Sequence, residues 1–170
     1  ALYLLEAGAD PHVADQNGIT ALHHAVRNGL TALNGVRYDP VYRVRPPNMP
    51  ALARALLEAG ADPNAQIAKS RRLGPDGSPF DMEGATPMML AAVSGDAVLM
   101  RLLENYEADP SIPAAGGITP LMAAARAACT GSCAFQGGGN LQASDEEVRL
   151  SLEAVKTAVE MGVDVNARND

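Results

Sequence analysis

The amino-acid sequence predicts an all-α fold, a solenoid of stacked helix-turn-helix repeats with β-hairpin-like turns. Two observations lead to this prediction. The stretch LLEAGADP occupies residues 4–11 and returns unchanged at residues 56–63. A second pattern, which runs from Gly through Thr into a short Ala-rich segment, occupies residues 18–29, 84–95 and 117–128. A chain that repeats such parts in order builds its fold from similar units.

The Thr residues of the second pattern set its period and predict where helices begin. Thr86 and Thr119 are 33 residues apart, and Thr20 and Thr86 are 66 apart. A Thr hydroxyl caps the free amides of a helix start, and Pro, which follows two of the three, suits the first helical position. An apolar run such as residues 99–103 then predicts a second helix. Two such helices cannot bury their own apolar faces, so neighbouring pairs are expected to stack.

The ends of the second helices carry a further signal. In LLEAG the Gly suits the left-handed position that follows a helix, because it has no Cβ to clash. Glu107 occupies the matching place in the third copy. The sequence therefore predicts either a strained left-handed Glu107 or a shifted turn there.

Together, G-x-T-P-L, an Ala pair, a helix ending in LLEAGAD and a period of 33 resemble the ankyrin repeat. The resemblance covers nearly the whole chain outside three insertions and implies an ankyrin-like α-solenoid. It also implies a structural role for His23, which matches the His of the T-P-L-H pattern, whereas Met89 and Met122 stand at the equivalent positions.

This alignment predicts a single array, and its boundaries are as follows: a partial repeat at 1–14, a repeat at 15–65 with an insertion at about 30–48, a repeat at 66–110 with an extended turn at about 66–80, a repeat at 111–165 with an insertion at about 129–147, and the start of a further turn at 166–170. Because the chain begins in a helical pattern and stops in a turn pattern, we expect it to be a fragment of a longer protein.

The second helix of the last repeat is predicted to be longer than the second helices of the other repeats. Ser144 and Glu147 have the spacing of a capping box, which marks its start. Its apolar residues fall on one helical face: Val148, Leu152, Val155 and Val159.

Composition and charge narrow the class of partner. The net charge of −7 argues against nucleic acid, whose phosphates need a basic face. No apolar run approaches the roughly 20 residues that span a bilayer, so we expect a soluble chain without membrane insertion. The compartment stays open among cytoplasm, periplasm and secretion, and the oligomeric state is open too. Residues 27–72 nevertheless carry eight basic and three acidic side chains, which predicts an acidic protein partner near them.

No catalytic, cofactor-binding or metal-binding motif is found, so we predict that the chain is not an enzyme. Cys129 and Cys133 lack the further ligands of a zinc site, and their four-residue spacing leaves a local disulfide and two reduced thiols as alternatives. His23 and His24 are sequence neighbours that point in different directions on a helix, which disfavours a metal pair.

The predicted function is non-catalytic protein binding. In the ankyrin resemblance, turn tips and the exposed side of the first helices line a concave partner-binding face. The matching residues are Gln16 and Asn17 at a turn tip, and Arg27, Asn28, Ser94 and Arg126 at the ends of first helices. We add Arg71 and Arg72 from the extended turn, which is an insertion. The alternatives are a regulatory or substrate-positioning segment of a larger enzyme and a structural spacer.

Overall fold

The computed structural model describes residues 2–27, 49–69, 83–127 and 145–169. Within these ranges the secondary structure is helical and contains no β-strand, which confirms the predicted all-α class for this part of the chain. The helices are α1 (Leu2–Glu6), α2 (Ala21–Arg27), α3 (Met49–Glu58), α4 (Pro87–Val93), α5 (Ala97–Glu104), α6 (Pro120–Ala127) and α7 (Asp145–Glu160), with a 3-10 turn at Ala115–Gly117. No helix in the described ranges combines the length and apolar composition that crossing a bilayer requires.

The contacts between helices centre on α4. Three pairs are formed by helices that follow one another in the chain: α2 with α3, α4 with α5, and α6 with α7. Between pairs, α4 contacts both α2 and α6, while α3 contacts α1 and α5 contacts α7. Every residue of α4 is buried. Its Ala91 and Ala92 are completely buried, because side chains this small let neighbouring helices approach closely.

The three capping threonines begin α2, α4 and α6 in the same way, as predicted. Each hydroxyl accepts a hydrogen bond from the amide three residues later, at 3.4 Å for Thr20, 3.2 Å for Thr86 and 3.3 Å for Thr119. Each Thr carbonyl also accepts the amide four residues later. All three threonines are buried, so these bonds satisfy amides that water does not reach.

The second helices end in one common motif. A left-handed residue follows each helix, at Gly8, Gly60, Glu107 and Gly162. The amide after it reaches back five residues to a helix carbonyl, for example from Ala61 to Leu56 at 2.9 Å. An Asp then accepts the amide two residues later at Asp10, Asp62, Asp109 and Asp164. Hydrogen bonds from the Ser111 side chain and amide also hold the pKa of Asp109 below its usual value.

Glu107 shows which of its two predicted alternatives applies. Its φ is +64°, so it is a left-handed residue in an unshifted turn. We expect Glu107→Gly to stabilise the chain by about 0.5–1 kcal/mol, since Gly avoids the left-handed penalty but loses more entropy on folding. Chemical denaturation measures the change. Glu104→Gly, in the last turn of α5, is the matched control and should destabilise by about 1 kcal/mol. A stability loss for Glu107→Gly would contradict the assignment.

Helix α7 has 16 residues against 10 in α3 and 8 in α5, which confirms that it is the longest second helix described. Its buried face consists of small residues: Ser151, Ala154, Thr157 and Ala158. The predicted apolar face lies largely outside the core, with Val148, Leu152 and Val159 exposed by 45–50%. Close approach explains this, because a Cβ on Gly95 would lie 3.5 Å from the Ser151 amide.

Three predicted features lie largely outside the described residues. The insertions at about 30–48 and 129–147, and most of the extended turn at about 66–80, fall there, as do Ser144 and both cysteines.

Candidate protein-interaction surface

Three turns precede α2, α4 and α6, and backbone hydrogen bonds close each of them. The amide of the residue that opens the turn donates to the carbonyl of the residue before the capping Thr. These bonds join Asp15 to Ile19 at 3.0 Å, Ile67 to Ala85 at 3.1 Å, and Ala114 to Ile118 at 2.8 Å. In the first and third turns, isolated antiparallel bridges are also present. The second turn has the same base, although it encloses a longer segment.

Backbone hydrogen bonds also join each turn to the next. The Asn17 carbonyl accepts from the Ala68 amide at 2.8 Å, and the Glu83 carbonyl accepts from the Ala115 amide at 2.8 Å. Within the second turn, the Gln66 side chain also donates to the Gly84 carbonyl at 3.0 Å, which joins the two sides of that turn. The turns therefore form one continuous row, which we call the turn row: residues 14–20, 66–69, 83–86 and 114–119.

The first turn presents two of the predicted contact residues. Gln16 is exposed, whereas Asn17 is half-buried. The Asp15 carboxylate organises the tip by accepting the Ile19 amide at 2.9 Å and the Asn17 amide at 2.8 Å. The Ile19 amide bond is the largest cause that lowers the pKa of Asp15, so this carboxylate stays ionised. Because its bonds are internal, Asp15 shapes the tip, and the Gln16 side chain is exposed beside it.

Ser94 does not belong to the surface, which corrects its inclusion among the contact residues. It is completely buried, and its hydroxyl donates to the Ala91 carbonyl at 2.8 Å. It ends α4, whose residues are all buried, so α4 adds no side chain to an exposed face. Among the first-helix residues whose burial is described, the exposed ones are Ala21 and His24 of α2 and Ala125 of α6.

The other predicted contact residues stand as follows. Arg27 is the last residue of α2, and Arg126 is next to last in α6. Asn28, Arg71 and Arg72 lie outside the described residues. Lys69, which directly precedes the undescribed part of the extended turn, is exposed.

Asn64 is a linking residue that sequence reasoning missed. Its side chain donates to the Glu107 carbonyl at 3.1 Å and accepts the Asp109 amide at 2.7 Å, which ties the turn after α3 to the turn after α5. The available signal was the GADPN stretch, in which Asn follows the helix end at residues 60–64. The partner lies more than 40 residues away, so the link itself required the fold.

His23 is part of the helix start. It is completely buried, and its Nδ1 lies 2.8 Å from the Thr20 hydroxyl and accepts the Thr20 amide at 3.1 Å. Its Nε2 has no hydrogen-bond partner among the described residues. Burial lowers the pKa of His23, although the carbonyls of Ala85 and Ala65 oppose this shift without reaching hydrogen-bond geometry. A neutral ring that accepts the Thr20 amide is suited to a structural role.

Stability should therefore depend on the protonation of His23. Its folded pKa lies below the ordinary 6.5, so the unfolded chain takes up the proton first. The resulting stabilisation is present above pH 6.5. It is lost as pH falls from 6.5 through the lower pKa of His23 in the folded chain. Denaturant titrations at neutral and mildly acidic pH should show a steeper loss in the wild type than in His23→Met, which places the residue found at Met89 in this position. Both proteins keep His12 and His24, so parallel pH profiles would contradict the prediction.

The described residues contain no group of three or more His, Cys, Asp or Glu side chains placed to hold a metal ion. Comparison with known proteins gives no match to a protein-family model and none to a curated protein. The geometry alone therefore carries the functional argument. It assembles a row of turns beside a tightly packed helical layer, and Asp15 and Gln16 form an exposed polar tip on the first turn.

Proposed function

We propose that this chain is a non-catalytic protein-protein interaction module, built as an ankyrin-like array of stacked helix pairs. In this proposal a protein partner binds along the turn row, the exposed sides of α2 and α6, and the inserted segments. The observation that carries the proposal is the direct backbone link from each turn to the next, at 2.8 Å in both cases. Such links hold the turn tips at fixed spacing, and a rigid row loses little entropy when it binds.

Three equivalent helix starts support the array. Thr20, Thr86 and Thr119 make the same pair of hydrogen bonds. Helix α4, which follows Thr86, contacts both α2 and α6, which follow the other two threonines. The buried polar groups also support a non-catalytic role. The hydroxyls of these threonines cap helices, and His23 bonds to Thr20, so these groups are engaged in holding the backbone.

The predicted partner is an acidic protein surface near the basic residues of positions 27–72. Charged groups at the edge of an interface act mainly on the association rate and its salt dependence. Reversing the charges with Arg71→Glu and Arg72→Glu should therefore slow partner binding and flatten its dependence on salt. Gln16→Glu, at the exposed turn tip, should weaken binding because it adds an anion that repels an acidic partner.

Quantitative affinity capture with the wild type and these variants tests the proposal. Lys156→Glu is the matched control, since Lys156 is an exposed cation on α7, away from the turn row. We expect the same specific partners to be lost with the variants at Gln16, Arg71 and Arg72 and kept with Lys156→Glu. Partners that stay bound to all variants would overturn the assignment of the surface. A wild type that captures no specific partner would favour a structural spacer.

A further inference from the structure

A groove of about 490 Å³ opens on the second helices, between α3 and α5. Its apolar lining comes from Ala51 and Ala55 of α3 and from Val98 and Leu102 of α5. Val98 is 71% exposed, while Leu102 is buried. The residues that line the groove lie on these two helices, apart from Asn105, which directly follows α5, so the groove is separate from the turn row.

The common helix ends place α3, α5 and α7 in one register. Arg54 lies six residues before its left-handed residue, Gly60, and Arg101 lies six before Glu107. The position two residues before the left-handed residue holds Glu58 at the end of α3, Asn105 directly after α5 and Glu160 at the end of α7.

This register reveals an incomplete charge pair. Arg101 of α5 donates to the Glu160 carboxylate of α7 at 3.0 Å, which joins one second helix to the next. The equivalent residues on α3 and α5 are Arg54 and Asn105, and both line the groove. Asn105 supplies an amide where the pair on α5 and α7 has a carboxylate, so it cannot neutralise the Arg54 guanidinium.

The other carboxylate of the groove does not fill this role. Glu58 lies 3.5 Å from the Tyr106 hydroxyl, which donates to it. Among the described residues, no carboxylate lies within 4 Å of the Arg54 guanidinium, whereas Arg101 is engaged with Glu160. The groove therefore combines an apolar lining with an arginine that has no ion pair among the described residues, and with the amide of Asn105.

We propose that the groove between α3 and α5 binds an acidic, amphipathic segment of a protein partner. A partner carboxylate sits between Arg54 and Asn105, where guanidinium and amide donors match its two oxygens. The partner's aliphatic side chains lie on Ala51, Ala55, Val98 and Leu102, in the manner of a helix in a groove. This site lies outside the proposed turn-row surface, and its test does not depend on that proposal.

The test uses a fluorescein-labelled synthetic helical peptide with a Leu face bordered by Glu, and a matched peptide in which every Glu is Gln. Fluorescence anisotropy gives the affinity, and amide chemical-shift changes locate the site. The Glu peptide should shift amides of α3 and α5 and should bind at least about tenfold more tightly than the Gln peptide, because a charge-assisted pair is lost.

Three variants separate this site from general attraction. Arg54→Glu should weaken the Glu peptide by about tenfold or more, since it removes the cation. Asn105→Glu should weaken it similarly, because it gives Arg54 the internal carboxylate partner that Arg101 already has. Lys156→Glu, at the same register position on α7, should leave binding unchanged. Each substituted side chain is exposed. Circular dichroism is the control for folding of each variant.

Several results would overturn the proposal. These are equal affinity for the Glu and Gln peptides, chemical-shift changes confined to other helices, and undiminished binding by Arg54→Glu. Sedimentation velocity tests for one further contradicting result. Self-association that is abolished by Arg54→Glu would assign the groove to a second copy of the chain.

Discussion

Replacing Leu90 with Ala is expected to lower the free energy of unfolding by about 3 kcal/mol, within the range typical of buried Leu. Leu90 is 1% exposed in α4, the helix that contacts α2, α5, α6 and α7. The substitution removes apolar contacts and leaves a cavity that a close-packed neighbourhood cannot fill. Guanidinium denaturation followed by circular dichroism measures the change, with the midpoint shifting while the slope stays constant.

Val98→Ala is the matched control for this prediction. Val98 lies on α5 and is 71% exposed, so its truncation should change the free energy of unfolding by no more than about 0.5 kcal/mol. If both substitutions had the same small effect, α4 could not be the packed centre of the helical layer.

Gly18→Ala is expected to destabilise the chain by about 3 kcal/mol, through two separate effects. Gly18 has a φ of +80°, which costs an L residue about 1 kcal/mol or more. A Cβ there would also lie 2.7 Å from the Ala68 amide nitrogen, which belongs to the backbone and cannot rotate away. Relief of that contact requires the first and second turns to separate, which strains the Ala68 to Asn17 hydrogen bond.

Gly8→Ala separates the two effects. Gly8 has a φ of +85°, and nothing lies within 4 Å of a Cβ placed there. This control should therefore cost only the conformational penalty of about 1 kcal/mol. Equal costs for the two substitutions, measured by the same denaturation, would mean that the first two turns are not in tight contact.

The helix starts and ends could be predicted from the sequence because local chemistry determines them. A Thr hydroxyl reaches an amide only three residues away, and the left-handed residue closes a turn within six residues. At Glu107 the sequence left a strained residue and a shifted turn as alternatives, and the structure decides for the first, because the backbone bond from Ala108 to Leu103 keeps the turn in register.

Contacts between distant residues could not be predicted in this way. Ser94 ends a helix like Arg27 or Arg126, but its burial depends on the surroundings of α4 in the packed molecule. Periodicity identified an apolar face on α7, yet the face of Ser151 and Ala154 is buried because small side chains suit the close approach near Gly95. The missing ion pair of Arg54 becomes visible only when Arg54 is compared with Arg101 in the next helix pair. Each of these features requires a partner element whose position only the fold defines.

Helix α4 contacts both α2 and α6, and the proposed array places it between them in chain order. Nuclear Overhauser effects between methyl and amide protons test this arrangement. They arise only between protons about 5 Å apart or less, so they identify helices in direct contact, whose axes lie about 8–10 Å apart. We expect signals from α4 to both α2 and α6 and none between α2 and α6. Direct signals between α2 and α6, or the loss of either set from α4, would contradict this arrangement.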